Sequence, residues 1–84
     1  MNDHMKHTAV LSFEYTSADQ ARRVERSLAP ELGDIEDDRS RTRLHRTGET
    51  LELAIESRDI VALRAALNTW FSLVTVAEQA SGAV

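Results

Sequence analysis

The chain has no cysteine, one proline and three glycines among its 84 residues. Without cysteine it can form neither a disulfide framework nor a thiolate metal site, which suits a reducing compartment. The chain also has no uninterrupted apolar run close to the roughly 18 residues of a membrane span, and its N-terminus lacks the apolar core of a signal peptide. We therefore expect a cytoplasmic protein that does not enter a membrane.

Size and charge limit the classes of function. The net charge of −4 at pH 7 argues against a domain that wraps nucleic acid through bulk positive charge. The apolar fraction of 42% is typical of a folded globular protein. We expect one domain over residues 1–84, with tails at 1–7 and 81–84. A domain of this size hides only about 60% of its unfolded surface, so burial against a partner would add stability.

The first half of the chain predicts a strand and then a helix. Residues 8–15, TAVLSFEY, alternate apolar and polar side chains as a half-buried strand does. Ser17 and Gln20 have the spacing of a capping box, and Pro30 ends the helical pattern. Between them three apolar residues recur at helical spacing: Ala21, Val24 and Leu28. Residues 31–38 contain a glycine and several acidic residues, and we expect a solvated loop there.

A hairpin is predicted from residues that match across a turn. With a two-residue turn at 47–48, Leu44 pairs with Leu51 on one face and Arg43 with Glu52 on the other. Opposite charges that face each other favour a register by a few tenths to about 1 kcal/mol per pair. The charge pattern and the apolar pattern therefore support the same hairpin.

The last segment predicts a long helix and completes the fold. Asp59 or Ser57 can cap this helix, which covers about residues 60–80 and ends before Gly82. A helical crossover makes the first two strands parallel, so the third strand fits between them. We expect an α+β fold of order β-α-β-β-α, with a three-stranded antiparallel sheet of order 1-3-2 and two helices on one face.

The final helix has more apolar surface than one sheet covers, since apolar residues occupy about half of its circumference. We predict that the surplus binds helices of a partner through Leu63, Ala66, Leu67, Trp70, Leu73, Val74 and Ala77. The alternative is that Trp70 fills the gap between the two helices of its own chain, because aromatic residues at helical spacing usually belong to a core. The remaining side of this helix is mostly polar. Val61 and Val76 fall on that polar side, and the pattern does not explain them.

The two edges of the predicted sheet differ in charge. Charged residues discourage an edge strand from pairing with another chain, and the first strand has none between Thr8 and Phe13. The other edge is the arginine-rich second strand. We therefore predict a two-fold homodimer that pairs the first strands. Its edge residues are Val10, Leu11, Ser12 and Phe13.

Catalytic and metal-binding residues are not recognisable in the sequence. His4 and His7 fall in the predicted tail, and His45 falls on the open face of the sheet. Cysteine is absent, and no nucleophile has a recognisable base beside it. We expect no catalytic residue, no metal and no cofactor.

Three stretches resemble the polarised-growth chromatin-associated controller family. They are SLAPE at 27–31, LELAI at 51–55, and LRAALNT at 63–69 after Asp59. The resemblance extends over roughly residues 8–79. Its most specific part is the aspartate followed by the pattern Leu-Arg-Ala-x-x-Asn.

This resemblance implies a function as well as a fold. The family supplies the small dimerising subunit of the KEOPS complex, which makes threonylcarbamoyladenosine beside the anticodon of tRNAs. The implied role is a non-catalytic scaffold that forms a homodimer and reaches tRNA through the complex. Its helices are implied to bundle with the N-terminal helices of the catalytic threonylcarbamoyl-transferring subunit. A small stand-alone RNA-binding module is the alternative function.

A basic strip on the second strand is the candidate tRNA contact, because arginine suits phosphates and stacked bases. Its residues are Arg39, Arg41, Arg43 and Arg46. The alternative is that the glutamates of the hairpin neutralise the strip, as on an ordinary solvated sheet. In the predicted register Arg41 faces Ala54 and is the one arginine without an acidic partner. A KH-type RNA reader is not expected, because the glycines do not form a Gly-x-x-Gly loop.

Overall fold

The computed structural model of this chain describes residues 6–35 and 39–82. The strands in these ranges are β1 (His7–Glu14), β2 (Ser40–Thr47) and β3 (Thr50–Ser57). The helices are α1 (Ala18–Leu28), α2 (Glu31–Ile35) and α3 (Ile60–Ser81). β3 lies between β1 and β2 and is antiparallel to both, while α1 and α3 pack together on one face of the sheet. The predicted α+β fold and strand order are confirmed.

β1 has the predicted alternation of buried and exposed side chains. Ala9, Leu11 and Phe13 face the helices and pack against the core, and the residues between them are exposed. The strand begins one residue earlier than predicted, because His7 pairs with Ser57 of β3. Residues 1–5 of the predicted tail lie outside the described residues. At the other end, α3 extends one residue further than predicted.

α1 begins with the predicted cap. The Gln20 backbone N–H donates to Ser17 Oγ at 3.1 Å, and Gln20 Oε1 accepts from both the N–H and the hydroxyl of Thr16. The loop predicted at 31–38 is wrong for its first five residues, which form α2. Pro30 stands just before α2, where its missing N–H is not needed, and Leu32 packs against the core. Residues 36–38 lie outside the described residues.

The hairpin forms two residues out of the predicted register. Its turn is at Gly48 and Glu49, so that Thr47 pairs with Thr50 and Leu44 with Leu53. Gly48 has φ +60°, the left-handed conformation that the first loop residue of the common two-residue hairpin turns requires. Because side chains alternate with a period of two, the shift keeps every residue on its predicted face. What changes is the choice of cross-strand partners.

α3 supplies much of the core, and Trp70 lies within it. The helix begins at a cap in which Asp59 Oδ1 accepts from the Ala62 N–H at 2.7 Å. Trp70 is 0% exposed. Its core cluster combines residues of α1 and β3: Val24, Leu28, Leu51, Leu53 and Ile55. The alternative prediction, that Trp70 fills the gap within its own chain, is therefore confirmed.

The length of α3 raises the question of a membrane. Its 22 residues include only two charged ones, Arg64 and Glu78, and by length and composition it is apolar enough to cross a bilayer. The core helix of a soluble protein has the same character, and a third of the most apolar part of α3 is buried within the chain. The absence of a membrane partner stays a prediction.

Candidate protein-interaction surfaces

The helix face predicted to bind a partner lies mostly inside the chain's own core. Two of its seven residues, Leu67 and Leu73, keep partial exposure. The other five are buried: Leu63, Ala66, Trp70, Val74 and Ala77. The expectation that these five are exposed is wrong, because the sheet and α1 cover them together. A partner helix cannot reach the Trp70 indole in this conformation.

The exposed apolar surface of α3 lies elsewhere on the helix. Phe71 is 48% exposed and Ile60 is 47% exposed. At about 100° per residue, these two residues share one side of the helix with Leu67. We call Ile60, Leu67 and Phe71 the α3 flank. Sequence reasoning placed all three in the broad apolar arc but did not separate them from the buried residues.

A second exposed group lies on another side of α3, roughly 80–140° around the helix from Phe71. Val61 and Val76 are its large apolar residues, and Ala65 and Ser72 lie between them at helical spacing. We call these four residues the α3 crest. The crest was not predicted, although the two valines stood out as apolar residues on a polar strip. Their position away from the main stripe was the signal that could have identified it.

The α3 flank lies on the β1 side of the helical layer. The Tyr15 hydroxyl, just after β1, donates to Glu78 Oε2 at 2.7 Å. Glu78 follows Phe71 by two helical turns and so lies on the same side of α3. Burial raises the pKa of Tyr15, and the hydrogen bond to Glu78 and its negative charge raise it further. Tyr15 therefore stays protonated at neutral pH and holds the end of α3 against the end of β1.

The backbone of β1 offers unpaired groups on one side. The Tyr15 N–H donates to the Glu49 carbonyl at 3.0 Å, so residue 15 points its backbone groups toward β3. Because this direction alternates along a strand, the odd-numbered residues of β1 point toward β3 and the even-numbered ones away from it. No strand in the described part of the chain covers that outer side. We call its residues the β1 edge: Thr8, Val10, Ser12 and Glu14.

The predicted dimer edge agrees in part with this geometry. Val10 and Ser12 direct their backbone groups outward, whereas Leu11 and Phe13 direct theirs to β3 and their side chains to the helices. Val10 is 59% exposed and is a large apolar residue on the open face of the sheet. The sequence thus placed the predicted dimer edge on a strand with an uncovered side but did not separate its two sets of residues, and the dimer edge stays a prediction.

Two of the four predicted tRNA-contact arginines are held within the chain. Arg46 Nε lies 2.9 Å from Glu25 Oε1, which ties β2 to α1. Arg39 precedes β2 and binds the Asp59 carboxylate through Nη2 at 3.1 Å. The pKa of Asp59 is held below its usual value, first by the backbone N–H at its helix cap and then by Arg39.

The other two arginines, Arg41 and Arg43, project from the open face of the sheet. Arg41 lies opposite Glu56, and Arg43 lies opposite Ala54. The predicted pairing of Arg43 with Glu52 and the predicted acid-free position of Arg41 are both wrong, because the turn lies one residue later and so shifts each cross-strand partner by two. Arg43 is the one whose direct cross-strand neighbour carries no charge.

Residues 6–35 and 39–82 contain no group of three histidine, aspartate or glutamate side chains close enough to hold a metal ion. His7 pairs with the end of β3, and His45 Nε2 lies 3.0 Å from Thr47 Oγ1 on the exposed surface. His4 lies outside the described residues.

The fold is that of a small α+β domain, with a three-stranded antiparallel sheet and helices packed on one face. A sequence model described as transcription factor Pcc1 matches residues 8–81, and the chain belongs to this family. The Pcc1 family is that of the small KEOPS subunit, so the resemblance drawn from the residues alone is confirmed.

Among solved structures, the chain is similar to a chain in the crystal structure of the binary complex Gon7-Pcc1. The TM-score is 0.82 with 16% sequence identity, over 92% of this chain and 94% of that chain. At this identity the likeness shows the fold alone. A comparison with curated proteins found no match.

Proposed function

We propose that this chain is a non-catalytic scaffold subunit of the KEOPS complex that supports threonylcarbamoyladenosine modification of tRNA. The match of the Pcc1 family to residues 8–81 carries this proposal. It is supported by an uncovered strand edge and by exposed apolar residues on the longest helix. The chain gives the complex contact surfaces, and the chemistry belongs to another subunit.

The first contact in this proposal is with a second copy of the chain. The β1 edge has free backbone groups and no charge between Thr8 and Phe13, so it suits pairing with an identical edge. The α3 flank lies on the same side of the molecule, where Phe71 and Ile60 are about half exposed. A second copy would cover part of this flank as well as the edge. The resulting homodimer bridges two catalytic subunits.

The second contact is between the α3 crest and the N-terminal helices of the catalytic threonylcarbamoyl-transferring subunit. The crest has no charged residue, and Ala65 and Ser72 are small enough to let another helix approach closely. Val61 and Val76 supply the apolar contact. The half-buried Leu73 borders the crest on the side away from Phe71. The crest therefore replaces the Trp70 face in the proposed bundle.

A binding experiment tests the proposed role of the crest. The chain is mixed with the catalytic subunit from the same genome, and complex formation is measured by gel filtration and by calorimetry. We expect Val61→Glu with Val76→Glu to weaken this complex at least tenfold, because both carboxylates would be desolvated in the interface. Ser27→Glu with Thr47→Glu is the matched control, because it adds the same two charges at exposed positions outside the crest and the β1 edge. Unchanged binding by the crest variant would reject the proposed bundle.

The scaffold role has its own assay. Threonylcarbamoyladenosine formation is measured in a reconstituted complex with and without this chain, and we expect the chain to raise the rate although it has no activity alone. A chain that binds RNA alone and does not bind the catalytic subunit would instead fit the stand-alone RNA-binding module. Modification by the purified chain itself would overturn the non-catalytic role.

The proposed contact with tRNA lies on the open face of the sheet. Of the predicted strip, Arg41 and Arg43 are the two that project from the open face of the sheet. Changing both to glutamate should weaken tRNA binding by the complex and flatten its salt dependence. Arg22→Glu with Arg26→Glu on α1 makes the same change in charge and is the matched control. Equal effects of the two double variants would mean that net charge, and not this strip, governs binding.

A further inference from the structure

We infer that the homodimer has one particular strand register, in which the two-fold axis passes between the two copies of Val10. This inference rests on the proposed function in one respect, because it requires two β1 edges to pair. It goes further by assigning each edge residue its opposite residue in the second copy.

The backbone of β1 permits only a few symmetric registers. The N–H and C=O groups that face outward belong to Thr8, Val10, Ser12 and Glu14, as the Tyr15 hydrogen bond to Glu49 requires. In a two-fold antiparallel pair, residues directly opposite each other have side chains on the same face. Four registers keep at least five of the strand's eight residues paired, and they are centred on residue 9, 10, 11 or 12.

The register centred on Val10 matches chemistry at every position on the open face. Val10 lies opposite Val10 of the second copy, and Ala54 of β3 flanks each valine on its other side. This row gives the 59% exposed Val10 an apolar neighbour on both sides. Thr8 lies opposite Ser12 of the second copy. Lys6 lies opposite Glu14 of the second copy, which forms two pairs of opposite charge in the dimer.

The other three registers lose these matches. Centring on residue 9 places Val10 opposite Thr8 and Lys6 opposite Ser12. Centring on Leu11 places Val10 opposite a serine and Thr8 opposite Glu14. Its gain is contact between two copies of Leu11, but this side chain already packs against the core of its own chain. Centring on Ser12 places Val10 opposite Glu14. In the registers centred on Leu11 and Ser12, Lys6 extends beyond the end of the opposite strand. Apolar and charge complementarity therefore agree on Val10.

Because the chain has no cysteine, single introduced cysteines report the register directly. A disulfide forms when the two Cα atoms lie about 4.4–6.8 Å apart, which directly opposite residues satisfy and more distant ones do not. We expect Val10→Cys to give a covalent dimer under mild oxidation and Ser12→Cys alone to give none. A mixture of Thr8→Cys and Ser12→Cys chains should also cross-link. All three positions lie on the exposed face, so each substitution is expected to leave the fold intact.

The rival outcomes are distinct. Cross-linking of Ser12→Cys alone would place the axis at residue 12, and preferential cross-linking of mixed Val10→Cys and Ser12→Cys chains would place it at residue 11. Cross-linking of mixed Thr8→Cys and Val10→Cys chains would place the axis at residue 9. Any of these results overturns the register and leaves the homodimer standing. A dimer by light scattering that none of these cysteines cross-links, singly or in any mixture, would move the interface to another surface. A monomer would overturn both the register and the proposed homodimer.

A charge exchange gives a second readout that needs no disulfide. Lys6→Glu and Glu14→Lys should each raise the dimer Kd, by roughly three- to tenfold at low salt, because each creates two pairs of like charge. The double variant should restore the Kd of the unmodified chain. Additive weakening in the double variant would show that these residues do not face each other.

Discussion

The two edge strands of the sheet have the same length and the same central partner, yet they present opposite surfaces. β1 has free backbone groups, an exposed Val10 and no charge along most of its length. β2 carries Arg41 and Arg43 on the open face, and Arg46 ties it to α1. Charged side chains discourage β2 from pairing with other chains, while the β1 edge is left available. The domain therefore has one edge, that of β1, which can pair with another strand. A single edge of this kind favours a closed two-fold dimer over an open filament.

The largest expected effect on stability comes from Trp70, because this residue lies in the core that supports the whole sheet. Trp70→Ala should destabilise the domain by about 3–5 kcal/mol, because it leaves a cavity where a fully buried indole packs against α1 and β3. Thermal unfolding followed by circular dichroism measures this. Phe71→Ala, one residue further along α3, should change monomer stability little and should weaken the dimer. If the two substitutions lowered the stability of the domain equally, Trp70 and Phe71 would not belong to a core and an exposed flank as described.

The next largest effect is expected on dimerisation, and it distinguishes the β1 edge from the β2 edge. Val10→Lys should weaken dimerisation at least tenfold, or about 1.4 kcal/mol, because it places two like charges next to each other where the edges pair. Arg43→Ala changes a residue on the same open face at the β2 edge and should leave the dimer Kd unchanged. Sedimentation equilibrium measures both. A larger effect at Arg43 would mean that β2 is the edge in use.

The tie between β2 and α1 has a smaller expected effect. The ion pair between Arg46 and Glu25 is partly shielded from solvent, with side-chain exposures of 26% and 32%. A double-mutant cycle with Arg46→Met and Glu25→Gln should give a coupling energy of about 1 kcal/mol in urea unfolding. No coupling would show that this pair does not hold β2 beneath α1.

The corresponding tie on the β1 side is the hydrogen bond from Tyr15 to Glu78. Tyr15→Phe should cost about 1 kcal/mol at neutral pH. Because folding raises the pKa of Tyr15, the stability linked to this phenol is fully present below about pH 10, the unfolded value, and decreases as the pH rises further. Urea unfolding from pH 8 to 11 should therefore show a smaller decline in the variant. Parallel declines would contradict the raised pKa.

The strand order and the faces of the strands could be predicted from the sequence because both depend on patterns that span several residues. The hairpin register could not, since a shift of two residues keeps every side chain on its face and leaves apolar residues opposite each other. The left-handed conformation of Gly48 decides between the registers. α2 was missed because five residues are too few for helical periodicity, although Leu32 packs against the core.

The prediction that Trp70 binds a partner was wrong for a different reason. Counting apolar residues around α3 gives the width of the arc but not how closely the sheet and α1 approach it. Small side chains at Ala62, Ala66 and Ala77 leave room for both to close around the indole. The surplus apolar surface is real, but it lies in the flank and the crest.

The β1 edge as the contact with a second copy is the central claim, and light scattering coupled to gel filtration tests it most directly. At micromolar concentration the unmodified chain should have twice the 9.4 kDa mass of one chain, and the Val10→Lys variant should have the mass of one. An unmodified chain with the mass of a monomer, or a variant that stays a dimer, would contradict it.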